Sequence, residues 1–222
     1  MINRITRDEI EDITSIPIND ITEHDRDEMA IPTYMHQNPL IRWLMWKRYD
    51  CLAEMLNKNS GTALEFGCGI GLFLSELDKH YSQVIAIELY PQYAMKLCEE
   101  NNINVKFFNN LNDVEDRSLD VIIAADVLEH IEDLDGYLRH FDRKLKPGGQ
   151  FLISGPTESL LYKLGRLVAG FGDKADYHNT NIYNLIDSIE EFGFKKGTII
   201  NLPFAVLPPF FKICAFQKAK SD

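Results

Sequence analysis

Apolar residues change period along this chain, and the changes mark out its elements. Asn38-Pro39 opens a helical stretch, Asn suited to the cap and Pro to the first turn, in which Ile41, Leu44, Met45, Cys51, Leu52, Met55 and Leu56 recur at helical spacing. From residue 62, short apolar runs rich in β-branched side chains near 62–66, 83–88, 104–108, 119–125 and 149–154 read as strands buried on both faces. Leu134, Leu138, Phe141 and Leu145 form a helical stripe that opens after Asp133 and stops at Pro147-Gly148-Gly149. A helix near 181–191 stopped by Gly193, and extended stretches near 196–202 and 212–218, complete the pattern. Strand and helix alternating in this way, joined by right-handed crossovers, predict an α/β fold: a doubly wound, mostly parallel sheet with helices on both faces.

The first thirty residues break the pattern. Nine acids stand against Arg4, Arg7 and Arg26, and isoleucines at 2, 5, 10, 13, 16, 18 and 21 scatter around Pro17. The expectation is an acidic N-terminal arm or lid over residues 1–36, poorly ordered or packed on the surface, ahead of a single domain over 37–222. A charge run of this kind is ordinarily a solvated face; a partner-binding arm is the alternative.

With 222 residues and 45% apolar content, the chain can bury one substantial core. A net charge of −11 and a pI near 5.0 count against an electrostatic grip on nucleic acid, so no nucleic-acid partner is expected. Cys51, Cys68, Cys98 and Cys214 form no C-x-x-C pair and read as reduced thiols of a cytoplasmic protein, and no metal site is assigned. No apolar run approaches membrane-spanning length, and the N-terminus lacks a basic flank followed by an apolar segment, so neither export nor a transmembrane segment is expected.

Candidate chemistry begins at Leu64-Glu65-Phe66-Gly67-Cys68-Gly69-Ile70-Gly71. Glycines there let the backbone turn tightly after a strand and bring N–H groups and a helix N-terminus against a ligand. A dinucleotide fingerprint is spaced G-x-G-x-x-G, whereas here the third glycine comes one residue early. The next apolar run, Val84-Ile85-Ala86-Ile87, ends on Glu88, 23 positions beyond Glu65, where a strand-end carboxylate can accept both hydroxyls of a ribose. Leu119 to His130 and Lys144 to Ser154 supply two further motifs. In this order, across about residues 62 to 155, the four motifs resemble those of class I S-adenosylmethionine-dependent methyltransferases.

That resemblance implies S-adenosyl-L-methionine as cofactor and a seven-stranded, Rossmann-like sheet whose last strand inserts antiparallel between its neighbours. It places Gly67, Cys68 and Gly69 along the methionine part, with Phe66 and Gly71 also on the cofactor, Glu65 near the ammonium, Glu88 on the ribose and Leu89 beside the adenine. Asn109, Asn110 and Leu111 fall where relatives contact the adenine ring. Many carry Asp at the position of Asn110, yet the Asn carbonyl oxygen can still accept a hydrogen bond. Asp126 falls at the mouth of the fourth strand, beside the reacting centre, and Tyr34 and His36 fall where relatives fold a lid over the cofactor.

A sulfonium methyl donor is already activated, so positioning supplies much of the rate and no covalent nucleophile is required. A hydroxyl acceptor needs a base in reach, and histidine is tuned for that near neutral pH. His130, after the fourth strand, and His178, after the fifth, are the catalytic candidates. Their plainer readings are a helix-start residue bonded to backbone and a loop histidine. His24, His80 and His140 read as surface residues.

The acceptor expected from the resemblance is a small molecule of quinone-like, sugar or lipid-linked type, methylated at a hydroxyl oxygen. The apolar stretches 160–171 and 202–211 read as a core lid and a homodimer contact ahead of a peripheral membrane surface for a lipid-linked acceptor. A noncatalytic S-adenosylmethionine-binding module acting through a protein partner is the competing function, and a nicotinamide dehydrogenase is disfavoured by the glycine spacing.

Overall fold

The structure, a computed structural model, describes residues 1–58, 60–159, 162, 180–203 and 208–220. Three short helices lead the chain, α1 (Arg7–Thr14), α2 (Glu23–Glu28) and α3 (Ile31–Tyr34), followed by the long α4 (Pro39–Met55). Then come β1 (Thr62–Phe66), α5 (Leu74–Asp78), β2 (Gln83–Ile87), α6 (Gln92–Glu100), β3 (Val105–Phe108), β4 (Leu119–Ala125), α7 (Leu134–Lys144) and β5 (Leu145–Pro156). Among the described residues the chain closes with α8 (Ile182–Phe192), β6 (Lys195–Leu202) and β7 (Phe211–Gln217).

The seven strands lie in the order β3-β2-β1-β4-β5-β7-β6. β1 to β5 pair in parallel, while β7 runs antiparallel to both β5 and β6. The antiparallel insertion expected of the last strand is therefore present. Chain reversal of strand order between β1 and β4 opens a crevice at their carboxyl ends, where ligands of doubly wound sheets bind.

Local chemistry explains the element ends. Asn38 accepts the Leu40 N–H at 2.9 Å with Pro39 in the first turn of α4, and Asp133 accepts the Gly136 N–H at 2.9 Å to start α7. Gly193 ends α8 in the left-handed region at φ +119°. The stripe ending on Leu145 overran its helix, because Lys146 precedes Pro147 and so disfavours helical backbone. Leu145 instead starts β5, opposite Leu119.

Side chains from α1, α3, α4, α5 and α6 pack on one face of the sheet, and those of α7 and α8 on the other. The N-terminal segment differs from expectation. It holds three helices, the first two each begun by a capping box: Thr6 with Glu9 for α1 and Thr22 with Asp25 for α2. Ile10 and Ile13 of α1 are buried in the core, and polar contacts tie the segment to the sheet layer. Asp50 of α4 accepts the Ile2 N–H and the Arg4 guanidinium, Lys96 of α6 reaches Asp12 at 2.8 Å, and Arg26 donates to the Tyr93 hydroxyl at 2.6 Å. Scattered isoleucines concealed a short amphipathic helix. No helix among the described residues is long and apolar enough to cross a membrane.

Candidate active site

A cavity of about 610 Å³ opens at the carboxyl ends of β1, β2 and β4. The turn after β1 forms its floor, with Gly67, Gly69 and Gly71 all in the left-handed region. A side chain on Gly67 would lie 2.4 Å from the Val127 methyl, so the turn after β4 packs directly on this backbone. Gly71 faces the other way, its missing side chain 3.0 Å from Ala94 of α6, and it does not line the cavity. Phe66, Gly67, Cys68 and Gly69 do. Glu65 points to the opposite face from Phe66, as alternation along a strand demands. It lies 1% exposed behind the cavity wall, one carboxylate oxygen without a partner. Burial, and next the charge of Glu88, hold its carboxyl well above the usual range.

Glu88 stands at the head of β2 on the cavity wall. One carboxylate oxygen accepts the Gly69 N–H at 2.7 Å; the other accepts the Leu89 N–H at 2.7 Å and the Tyr90 N–H at 3.4 Å. Burial raises its proton affinity, and those three backbone donors oppose the rise. Leu89, 78% exposed, Asn110 and Leu111 line the cavity beside it. The Asn110 side-chain oxygen accepts the Asn112 N–H at 2.8 Å, so one of its acceptor positions already shapes the turn.

Beyond β4 the backbone turns sharply at Asp126, φ +55°. Its N–H donates to the Ser154 carbonyl and its carboxylate accepts the Ser154 hydroxyl, both at 2.9 Å, while the second oxygen forms an ion pair with Arg48 of α4. Arg48 was not singled out from the sequence, though a signal existed: it sits three residues after Met45 and four before Leu52, on the apolar stripe of its helix. Its residue is 2% exposed, its guanidinium donates to the Tyr34 hydroxyl at 3.1 Å, and its Nε has no partner among the described residues. The rings of Tyr49 and Phe211 lie 5.2 and 5.4 Å from its guanidinium carbon. Tyr34, Arg48, Tyr49 and Asp126 all line the cavity.

Glu129, also unforeseen, follows in the same turn at 1% exposure, with an unpartnered carboxylate oxygen. Burial pushes its carboxyl up to about 7, against the pull of Arg48. His130 lines the cavity, and its Nδ1 lies 3.3 Å from Glu28 Oε1. Glu28, Asp25 and Met29 reach the cavity from the N-terminal segment, Met29 lying over Gly69. No local motif announces that cover.

His36 does not line the cavity; its Nδ1 accepts the Asn38 N–H at 3.0 Å, a role in the turn before α4. His178 lies outside the described residues, as does most of the apolar stretch 160–171. Two histidines read as surface residues are partly covered. His140 stands on the cavity wall, and His80 lies 3.1 Å from Glu76.

The family model described as Methyltransferase domain matches residues 42–195. A ubiquinone biosynthesis O-methyltransferase of Rickettsia bellii is 31% identical over 159 residues, covering 63% of this chain and 65% of that protein. One from Xanthomonas oryzae pv. oryzae is 27% identical over 114 residues, 48% of each chain. The chain thus spans about half to two thirds of the length of these two curated relatives. Among solved structures, the N-methyltransferase NodS from Bradyrhizobium japonicum WM9 aligns with a TM-score of 0.64 at 17% identity, covering 88% of this chain and 97% of that one. The [4+2]-cyclase SpnF aligns at 0.63 and 16% identity, covering 79% of this chain and 81% of that one. These two share the fold, and their different reactions show that the fold alone does not choose the chemistry.

Proposed function

The chain belongs to the class I S-adenosylmethionine-dependent methyltransferases, and on that premise we propose that it methylates a hydroxyl oxygen of a small phenolic or quinone-type acceptor, with His130 as the base. The residues fit the cofactor. Glu88 presents a carboxylate at the head of β2, a Cβ added at Gly69 would meet nothing nearer than Met29 at 3.8 Å, and Leu111 offers an apolar wall for a flat ring. A volume of about 610 Å³ lies within the range of small-molecule sites. When bound, S-adenosylmethionine supplies a methyl group already activated by its sulfonium.

What this chain adds is a proton acceptor and a closed position. The observation that carries the reading is the contact of His130 Nδ1 with Glu28 at the cavity wall. In neutral imidazole, an Nδ1–H held by a carboxylate leaves the Nε2 lone pair as the basic site and stabilises the imidazolium that forms. The segment 1–36 acts as a lid here, since the acid that orients the base comes from α2. Oxygen is favoured over nitrogen as the acceptor atom because the curated relatives named above are O-methyltransferases.

His130→Ala tests this assignment. Cofactor affinity measured by calorimetry should stay near that of the parent, while turnover on a hydroxyl acceptor falls by about a hundredfold or more. Full turnover in the variant, with methyl transfer limiting, would remove His130 from the chemistry.

A further inference from the structure

α2 is held to the molecule differently from the helices on either side of it. None of its residues is buried, whereas α1 before it buries Ile10 and Ile13, and α3 after it buries Ile31 and Tyr34. Lifting α1 or α3 would expose core side chains. Lifting α2 would uncover only the half-buried Ile21 and Met29 that flank it. Its attachments are otherwise polar. Arg26 donates to the Tyr93 hydroxyl at 2.6 Å and to the Thr14 carbonyl at 3.4 Å, the Tyr90 hydroxyl donates to the Asp20 carbonyl at 3.3 Å, and Glu28 lies 3.3 Å from His130.

The chain enters and leaves this stretch through non-glycine residues in the left-handed region, Asp20 at φ +65° and Ala30 at φ +57°. Asp tolerates that conformation, but for Ala it is strained, so leaving it relieves the backbone. Segments with few buried apolar contacts are the ones that open locally, and a few residues at element ends absorb the dihedral change. On its inner side α2 faces the cavity: Asp25, Glu28 and Met29 line the wall, and Met29 lies 3.8 Å from where a side chain on Gly69 would stand. A ligand resting on the glycine turn is therefore roofed by α2.

We propose that residues 20–30 are the gate through which the cofactor enters and its product leaves, swinging on Asp20 and Ala30 while α1 and α3 stay docked, with Arg26 on Tyr93 as the latch. The inference rests on the lid reading given above and narrows the moving part to α2 and its two flanks. Opening withdraws Glu28 from His130. The base is thus oriented while the gate is shut over bound cofactor and loses its carboxylate when the gate opens, which ties proton transfer to closure.

Hydrogen–deuterium exchange of the full chain, read by mass spectrometry with and without S-adenosylhomocysteine, tests the gate without turnover. Amides of 20–30 should exchange faster than those of α1 in the free protein, and saturating ligand should slow them about tenfold or more while leaving α1 unchanged. Tyr93→Phe keeps the buried ring and removes the latch acceptor. Association and dissociation of S-adenosylhomocysteine, followed by stopped flow, should both quicken about threefold or more in that variant, with affinity changing less than either rate. A purely structural hydroxyl would lower the unfolding temperature and leave both rates alone. Should Tyr93→Phe fail to fold, Arg26→Met removes the same latch from its half-buried side. Protection of α1 and α2 together, α2 amides indifferent to the ligand, or unchanged rates in the latch variant each overturn the proposal. Full turnover by His130→Ala with the exchange pattern intact would remove the base and leave the gate. Lost turnover in His130→Ala with α2 indifferent to the ligand would do the reverse.

Discussion

Glu28 Oε1 and His130 Nδ1 stand 3.3 Å apart, joining the second helix of the chain to the turn that follows β4. An acidic segment thereby becomes part of the cavity wall. If Glu28 orients the imidazole and stabilises its protonated form, Glu28→Gln should lower kcat by about tenfold, less than the loss of the histidine itself. Single-turnover rates of parent and variant check this; an unchanged rate would mean the contact only tethers the lid.

Glu88 accepts backbone donors from Gly69, Leu89 and Tyr90 at the point where the resemblance places a ribose. Glu88→Ala removes a charged acceptor and should cost about 1.5–3 kcal/mol of cofactor affinity by calorimetry. Glu88→Gln keeps the shape and should cost less. Equal affinity in all three proteins would place the cofactor elsewhere.

Gly67 combines a φ of +70° with a Cβ position 2.4 Å from Val127. Gly67→Ala should therefore destabilise by about 1–3 kcal/mol from backbone strain and overlap together. Val127→Ala in the same chain should recover only part of the overlap, because it removes the Cγ2 at 2.4 Å and leaves the Cβ at 2.8 Å. Denaturant unfolding of the two single variants and the double variant separates these contributions.

The strand and helix order was legible because buried parallel strands leave unbroken apolar runs and helices leave stripes, as at 119–125 and at Leu138 and Phe141. The glycine turn and Glu88 at the cavity were legible because their positions depend on local spacing. Arg48 and Glu28 were not, since each reaches the cavity from an element distant in sequence. Capping boxes at Thr6 and Thr22 announced two helices that the scattered isoleucines obscured. Asp126 was placed at the reacting centre, but its pairing with Arg48 needed the packing of α4 on the sheet.

Glu129 makes stability depend on pH. Burial raises its carboxyl from an ordinary value of 4.5 to about 7. The folded state thus holds a proton that the unfolded chain releases. This contribution makes stability fall as pH rises from about 4.5 to 7 and level off above, by up to about 3 kcal/mol in all. Glu129→Gln stays neutral and lacks that loss, so the variant should gain on the parent between pH 5 and pH 8. Chemical denaturation at both pH values checks the difference; the same gap at both would show that Glu129 is ionised throughout.

Transfer of a methyl group to oxygen is followed through the methyl itself. The protein is incubated with S-adenosylmethionine carrying a ¹³C methyl and a panel of phenolic and quinone-type hydroxyl compounds, and products are read by mass spectrometry and NMR. The expected product is a labelled methyl ether, formed one for one with S-adenosylhomocysteine by the parent and about a hundredfold more slowly by His130→Ala. Label appearing on nitrogen or carbon, or cofactor bound without transfer to any hydroxyl in the panel, would contradict it.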